Sequence, residues 1–252
     1  MNEIARQLLV CLVAAHFIGD FILQGGKEAV SKTNIFVLLK HSFIVAALSY
    51  VICGSWTIWE IPIIIFVTHA ALDFIKASIK KKTTYLFLVD QAAHLAVIVI
   101  LVLIITKENT IHMFWVNLLG NDCMKVLIVL SGGIAAVKSG SILIGLAVEP
   151  FLTEIAKHNQ DKNQQEELQN RGLKNGGNVI GQLERGLIFI FVLIGHPEGL
   201  GFLIAAKSIF RFGEIKEPKY RREAEYIIIG TLMSFSYGIL ISYATKYSLN
   251  LF

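Results

Sequence analysis

The chain has 252 residues, of which 54% are apolar and only 17% are charged, and its formal net charge is +4. Its mean hydropathy is +0.61. Since soluble domains carry about 25% charged residues, this composition excludes an ordinary soluble globular protein. The three cysteines are far apart and form no CxxC pair, so the sequence indicates neither a disulfide framework nor a thiolate metal site.

Hydropathy predicts eight membrane-spanning helices in an all-α polytopic bundle, since a helix needs about 20 apolar residues to cross the lipid core. The predicted spans cover residues 4–24, 37–55, 59–79, 86–106, 125–148, 179–195, 198–212 and 225–245. Pro150 is predicted to end the fifth span, and a Gly-His-Pro-Glu-Gly turn to separate the sixth span from the seventh. The seventh span is short, which indicates a tilted or re-entrant crossing.

One hydrophilic segment divides this pattern into two membrane parts. Residues 149–178 are rich in Gln, Asn, Lys and Glu, which is typical of an exposed connection. We therefore expect a five-helix part at 1–148, a polar cytoplasmic connection at 149–178 and a three-helix part at 179–252.

The positive charges predict the orientation in the membrane. Of the 23 Lys and Arg residues, 17 lie in or beside the loops that follow the odd-numbered spans. By the positive-inside rule these loops are cytoplasmic, so both termini lie outside a bacterial inner membrane. Membrane lipids are then sufficient partners for the basic loops, and no nucleic acid is needed to explain them.

Ionisable side chains inside membrane spans are costly and usually functional. The first four spans hold seven of them: His16, Asp20, His41, His69, Asp73, Asp90 and His94. Six of these form pairs at i and i+4, a spacing that puts both members on one helix face. Because successive helices alternate in direction, all seven are predicted to share one layer near the cytoplasmic face.

Imidazole and carboxylate groups together favour Zn, Mn or Fe, and seven candidate ligands suffice for one or two divalent ions. We expect the three paired histidines to hold the metal together with Asp73 or Asp90. The two predicted catalytic residues are Asp20 and Asp90, with a carboxylate left free of the metal acting as base. Such a site can present hydroxide to a lipid or another phosphoester, so a metal-dependent membrane hydrolase is the favoured function.

Two other interpretations stay open. Buried His and Asp also serve transporters and ion-coupled carriers, although a conduit needs polar groups through the full thickness of the membrane. The third interpretation is a structural or sensor protein whose His–Asp pairs fix helix packing. Whether the protein is an enzyme is therefore not decided by the sequence.

A second polar set occurs in the three-helix part and consists of Glu184, Arg185, Lys207 and Arg211. Glu184 is predicted to pair with Lys207 or Arg211 across the helical hairpin. The simpler interpretation is interfacial ion pairing and snorkelling. The functional interpretation is a site for an anion or lipid headgroup beside the metal cluster.

Four segments carry a resemblance: AAHFIGDFILQ (14–24), LLKHSF (38–43), THAALDFIK (68–76) and LVDQAAHL (88–95). They resemble an uncharacterised family of bacterial polytopic membrane proteins, a domain of unknown function with an HxxxDFxLQ segment and further His/Asp-bearing helices. The resemblance covers roughly residues 5–105, and IGQLERGL (180–187) and AAKSIFRF (205–212) are similar to the extension of longer members. The resemblance implies a membrane location and supports the same His and Asp residues as site residues, but it implies no reaction.

Overall fold

The structure is a computed structural model that describes residues 1–25, 33–79, 81–108, 111–158, 175–215 and 221–252, without the side chains of 108, 155–158, 210–215 and 221–224. The α-helices are α1 Glu3–Ile18, α2 Ile35–Cys53, α3 Glu60–Ser78, α4 Thr84–Glu108, α5 Phe114–Leu119, α6 Asp122–Ile134, α7 Gly140–His158, α8 Gly176–Leu193, α9 Gly199–Ile215 and α10 Arg221–Leu249. Two π-helical segments, Gly19–Leu23 and Ala135–Ser139, follow α1 and α6.

Seven helical segments of the described chain are long and apolar enough to cross a membrane: Glu3–Leu23, Ile35–Cys53, Glu60–Ser78, Thr84–Lys107, Asp122–Glu154, Gly176–Leu193 and Glu225–Leu249. Helix α9 has a shorter apolar stretch, Gly199–Ile209, at the position of the predicted short span. The all-α polytopic bundle predicted from the sequence is confirmed, and the protein is a membrane protein.

Sequence features explain several helix ends. The Asn2 Oδ1 accepts from the Ala5 backbone N–H at 2.8 Å, and the Asn34 Oδ1 accepts from that of Phe36 at 2.9 Å. Both are N-caps that satisfy donors the helix cannot pair itself. Helix α8 ends just before Gly195, whose φ of 85° turns the chain towards α9. The predicted turn between these two helices is confirmed.

The prediction that Pro150 ends the fifth span is wrong. Helix α7 continues to His158 with Pro150 inside it. Proline removes one backbone donor and disturbs the preceding turn, but a membrane helix can tolerate this where neighbouring groups satisfy the freed carbonyl. Of the predicted polar connection at 149–178, residues 159–174 lie outside the described part of the chain, and its division from the two membrane parts remains a prediction.

The described chain forms two compact units, which we treat separately. The first contains residues 1–134 and 247–252, and the second contains residues 135–246. In the first unit α1 packs against α2, α4 and α6, while α3 packs against α2 and α4. Its apolar core includes Leu8, Leu12, Val45, Ile61, Val102 and Met124.

Candidate metal centre

All seven ionisable residues predicted from the first four spans lie together in the first unit. We call this group the His/Asp cluster. Its members come from α1 and the π segment after it, α2, α3 and α4. Short contacts between side chains or rings connect them, such as the 4.5 Å between the ring centroids of His69 and His94. The helical spacing and the alternation of helix direction therefore identified which side chains meet.

Four donor atoms of the cluster approach a common point. The His41 Nε2 lies 3.0 Å from the His69 Nε2, 3.2 Å from the Asp20 Oδ1 and 3.6 Å from the Asp73 Oδ2. The His69 Nε2 lies 3.4 Å from the same Asp20 oxygen and 3.5 Å from the same Asp73 oxygen. We call these four residues the four-donor site.

The spacing of the four-donor site is close to that of metal ligands around the two histidine nitrogens. A zinc ion with N and O ligands at about 2.0–2.2 Å has neighbouring ligand atoms about 3.3–3.6 Å apart. Three of the five distances above lie in this range, and the other two are shorter, at 3.0 and 3.2 Å. The four side chains are at most 7% exposed, so they hold this arrangement away from solvent. Two carboxylates also match the charge of one divalent cation.

The π segment places Asp20 in this site. The Gln24 N–H donates to the Gly19 carbonyl at 3.1 Å, which closes the wider π turn. A Cβ added to Gly19 would lie 2.7 Å from the Val45 Cγ2 of α2, so a glycine allows the two helices to approach closely. Single π turns are frequent at functional sites because they re-aim a side chain.

Two further histidines present bare nitrogen lone pairs. The His94 Nδ1 lies 2.9 Å from the carbonyl oxygen of Asp90. A carbonyl only accepts, so the hydrogen is on Nδ1 and the Nε2 keeps its lone pair. The His16 Nε2 lies 3.3 Å from the Gln91 Oε1, while the Gln91 amide nitrogen donates to an Asp90 carboxylate oxygen at 3.1 Å. Because the Gln91 amide nitrogen faces Asp90, its oxygen faces His16 and can only accept a hydrogen bond. The hydrogen of the His16 ring is therefore on Nε2, and its Nδ1 keeps the lone pair.

Within the described residues, neither the His16 Nδ1 nor the His94 Nε2 has a hydrogen-bond partner. Buried acceptors without a donor are rare and costly. A cavity of about 10 Å³ is lined by His16, His69 and His94 together with Ser49, Thr68 and apolar side chains. This volume is close to that of a single water molecule. Two histidines with unpartnered acceptor nitrogens therefore line a water-sized space.

Three groups of donors in the described chain have the spacing of metal ligands, with atoms within 4.8 Å of one another: His16, Asp20 and His69; His41, His69 and Asp73; and Asp73, Asp90 and His94. In the third group one carboxylate is already engaged. The Lys76 ammonium donates to the Asp90 Oδ2 at 2.6 Å. Asp90 is thus bound to a cation and to Gln91, whereas Asp20 lies inside the four-donor site.

Sequence reasoning missed the roles of Lys76 and Gln91. In the sequence Lys76 is one of the 17 basic residues that predict the orientation, and no pattern marks Gln91. Lys76 follows Asp73 by three residues, so it lies on a neighbouring part of the same helix face. Gln91 is adjacent to Asp90. A search for polar neighbours of the His–Asp pairs would have found both.

The second predicted set lies in the second unit. The Lys207 ammonium donates to the Glu184 Oε2 at 2.6 Å, which is one of the two pairings that the sequence predicted. The Arg185 guanidinium is only 2% exposed. The side chain of Arg211 lies outside the described part of the chain.

Arg185 is bound by neutral oxygens. It donates to the carbonyls of Ala136 at 2.8 Å and Val137 at 3.2 Å. It also donates to the hydroxyls of Ser141 and Ser234, both at 2.7 Å. We call these four oxygens the arginine cradle. Two of them belong to the π segment Ala135–Ser139, where the wider turn makes carbonyls accessible to side chains.

Two more residues near the cradle were not explained by the sequence. The Tyr237 hydroxyl donates to the Ala135 carbonyl at 3.1 Å, so it uses the same π segment. The Lys138 ammonium donates to the Gln182 side-chain oxygen at 3.3 Å, which gives this membrane-span lysine a neutral partner. Neither contact follows from sequence spacing, because the partners are more than 40 residues apart.

Residues 8–119 match the model of a family described as "Protein of unknown function (DUF3307)". The match covers less than half of the 252 residues and includes α1 to α4, which carry the His/Asp cluster. The predicted resemblance of the N-terminal part to an uncharacterised family is confirmed. No curated protein and no solved structure matches the chain.

Proposed function

We propose that the first unit is a divalent-metal centre set within the membrane and that it hydrolyses an ester of the lipid or phosphoester class. The observation that carries this proposal is the four-donor site. The Nε2 atoms of His41 and His69 lie 3.0 Å apart, and each lies 3.2 to 3.6 Å from one oxygen of Asp20 and one of Asp73.

The donor set favours zinc, with Mn and Fe as the other candidates, because imidazole nitrogens accompany the carboxylates. One ion at the four-donor site is the simplest arrangement. A second ion would have to use one of the other two ligand groups. The first shares Asp20 and His69 with the four-donor site, and the third shares Asp73 with it and has Asp90 neutralised by the Lys76 ammonium. We therefore expect one ion per chain.

The chemistry of the surrounding residues fits hydrolysis. Beside the four protein donors the ion would need a fifth position for water, and there it would lower the pKa of the bound water. The lone pairs of the His16 Nδ1 and the His94 Nε2 are placed to accept a proton beside the water-sized cavity. Asp90 and Gln91 orient these two rings through the hydrogen bonds to the other nitrogens. In this proposal Asp20 is a ligand and Asp90 is a positioning residue.

A carrier is the alternative that uses the same cluster. A route through the membrane needs polar groups beyond the cluster, but helix α4 is apolar without interruption from Leu95 to Ile105. The purely structural alternative leaves the two bare nitrogens without a role. Both observations favour a metal-dependent function.

The test is the metal content of the purified protein in detergent, measured by inductively coupled plasma mass spectrometry. We expect about one equivalent of zinc, manganese or iron in the wild type and a loss of most of it in His69→Ala and Asp73→Ala. His112→Ala is the matched control, because His112 is an exposed histidine outside the cluster. It should keep the metal.

The thermal midpoint provides a second measurement if the cluster variants fold poorly. Chelation of the wild type should lower the midpoint, and adding zinc back should restore it, since a ligand that binds only the folded state stabilises it. The metal proposal is wrong if the wild type holds no more metal than His69→Ala and if chelation leaves the midpoint unchanged.

Hydrolysis is tested separately with p-nitrophenyl acetate, p-nitrophenyl phosphate and bis(p-nitrophenyl) phosphate. We expect metal-dependent turnover of at least one of them, lost on chelation and in Asp73→Ala but kept in His112→Ala. A fully loaded protein that turns over none of the three would contradict the hydrolytic part of the proposal.

The orientation with both termini outside a bacterial inner membrane, and lipids as the partners of the basic loops, belong to the same proposal. The excess of Lys and Arg on one side supports them. A C-terminal alkaline phosphatase fusion should be active in cells, whereas a C-terminal green fluorescent protein should remain dark. The reverse result would contradict the orientation and place the cluster near the outer face.

A further inference from the structure

We propose that the second unit binds an anionic amphiphile, with a phosphate or other acidic headgroup at Lys207, within the field of Arg185, and an apolar portion along α7 and α10. This proposal does not depend on the metal centre. It rests on a cavity within the second unit and on the charges that line it.

The cavity has a volume of about 470 Å³, which is within the range of about 300–1,000 Å³ for sites that hold small molecules. Helices α7, α8, α9 and α10 all contribute to its wall. Its apolar wall contains Ile142, Ile144, Val148, Leu152 and Ile227. The polar wall contains Asn178, Glu184, Arg185, Lys207, Thr231 and Ser234. A ligand with one polar end and one apolar end matches this division.

The lining residues that the structure describes carry an excess positive charge. It holds two cations, Arg185 and Lys207, and one carboxylate, Glu184. Glu184 is paired with Lys207, while the hydrogen bonds of Arg185 to the arginine cradle bring it no negative charge. Inside a membrane protein an uncompensated cation is costly. An anionic headgroup in the cavity would compensate it.

The headgroup would have access to Lys207. The side chains of Lys207 and Glu184 are 17% and 13% exposed, so both are partly accessible, in contrast to the cradled Arg185. We expect the headgroup to share the Lys207 ammonium with Glu184 and to lie within the field of Arg185. Lysine is a common phosphate-binding residue and contributes here as a point charge.

Open space next to a glycine offers a way to fill the cavity without disturbing the fold. Gly145 lines the cavity, and a Cβ built there would meet no atom within 4 Å. Gly201 of α9 also has open space around an added Cβ, but it does not line the cavity. Gly145→Leu should therefore occupy the site, and Gly201→Leu is its matched control on a neighbouring helix.

The experiment uses the full-length protein purified in detergent and measures its thermal midpoint and, by native mass spectrometry, its bound lipid. The probes are phosphatidylglycerol, phosphatidylcholine with the same acyl chains, and inorganic phosphate. We expect phosphatidylglycerol to raise the midpoint and to remain bound in the wild type and in Gly201→Leu. Its apparent affinity should fall by about tenfold or more in Gly145→Leu and in Lys207→Gln.

The other probes distinguish the sources of the anion. If inorganic phosphate alone gives the full shift of the midpoint, the site binds a free anion, and the proposal of an amphiphilic ligand is wrong. If phosphatidylcholine binds as well as phosphatidylglycerol, charge does not select the ligand and the proposal fails. It also fails if Gly145→Leu binds phosphatidylglycerol as tightly as Gly201→Leu does.

Discussion

In the first unit, carboxylates and imidazoles from four helices form one cluster, whereas in the second unit a single guanidinium is surrounded by neutral oxygens. The two regions solve the problem of a buried polar group in different ways. The arginine cradle supplies four acceptors to Arg185. The His/Asp cluster leaves acceptor nitrogens on His16 and His94 without a donor among the described residues. The His/Asp cluster can thus accept a proton donor or a metal ion, whereas the Arg185 guanidinium already has its hydrogen-bond partners.

Both regions use a π segment, but for different purposes. After α1, the segment Gly19–Leu23 re-aims the Asp20 side chain towards α2 and α3. Before α7, the segment Ala135–Ser139 presents backbone carbonyls to Arg185 and Tyr237. The same irregularity therefore supplies a side-chain donor atom in one unit and backbone acceptors in the other. This difference leads to separate predictions for the two units.

The largest effect on stability is expected for Arg185→Leu. The substitution removes four hydrogen bonds and leaves the Ala136 carbonyl and two serine hydroxyls in the interior without this donor. Each buried group that loses its partner costs about 1–3 kcal/mol, so we expect a loss of roughly 3–5 kcal/mol in the free energy of unfolding. Reversible unfolding in mixed micelles, followed by circular dichroism, measures it.

The control for Arg185→Leu is Lys138→Leu, which removes a lysine from the same part of the fold. Lys138 is exposed and makes one hydrogen bond of 3.3 Å to Gln182. We expect its loss to change the free energy of unfolding by less than about 1 kcal/mol. If the two substitutions changed the free energy of unfolding equally, the hydrogen bonds of the arginine cradle would not stabilise the fold more than the single bond of Lys138 does.

The sequence predicted which residues of the first unit meet, because helix periodicity and alternating direction are both visible in it. It did not predict which four donor atoms converge. Their positions depend on the rotation of each helix, and this rotation depends on the π segment and on the contact of Gly19 with Val45. No residue pattern predicts a π turn, so the position of Asp20 in the four-donor site could not be predicted from the sequence.

The second unit was less predictable for a related reason. The pairing of Glu184 with Lys207 follows from the hairpin between α8 and α9, since both residues lie at the same end of it. The burial of Arg185 does not follow from any charge pattern, because its acceptors are backbone carbonyls and serines far away in sequence. Arginine beside a lipid interface usually extends towards the headgroups. Only the three-dimensional structure shows that Arg185 is instead buried.

A smaller effect is expected for Gly140→Ala, which tests the packing of the cradle without removing a charge. A Cβ at Gly140 would lie 2.7 Å from the Tyr237 Cε1 and 2.8 Å from the Arg185 Nε. Such overpacking costs about 1–3 kcal/mol. Gly145→Ala is the control in the same helix, where an added Cβ meets no atom within 4 Å, and it should stabilise the helix by about 0.5–1 kcal/mol. A neutral Gly140→Ala would show that the helices around Arg185 adjust freely.

The smallest effect is expected for Lys76→Met in the first unit, and it is an effect on metal affinity. The Lys76 ammonium neutralises Asp90, which shares a possible ligand group with Asp73. Removing this positive charge makes the surroundings of the metal more negative. An effect of about 1 kcal/mol, typical of a partly screened charge, corresponds to roughly fivefold tighter binding. Competition with a chelating dye measures the dissociation constant.

The control for Lys76→Met is Lys107→Met. Lys107 lies on α4, 17 residues beyond Asp90, so it is about 25 Å further along the helix. Beyond a Debye length of about 8–10 Å an exposed charge is largely screened, and Lys107→Met should leave the affinity unchanged. If Lys76→Met instead weakens metal binding, the ammonium does not act through its charge on the metal. The pair would then serve to hold α3 and α4 in position, and the two units would resemble each other more closely, each having a cation that organises its helices.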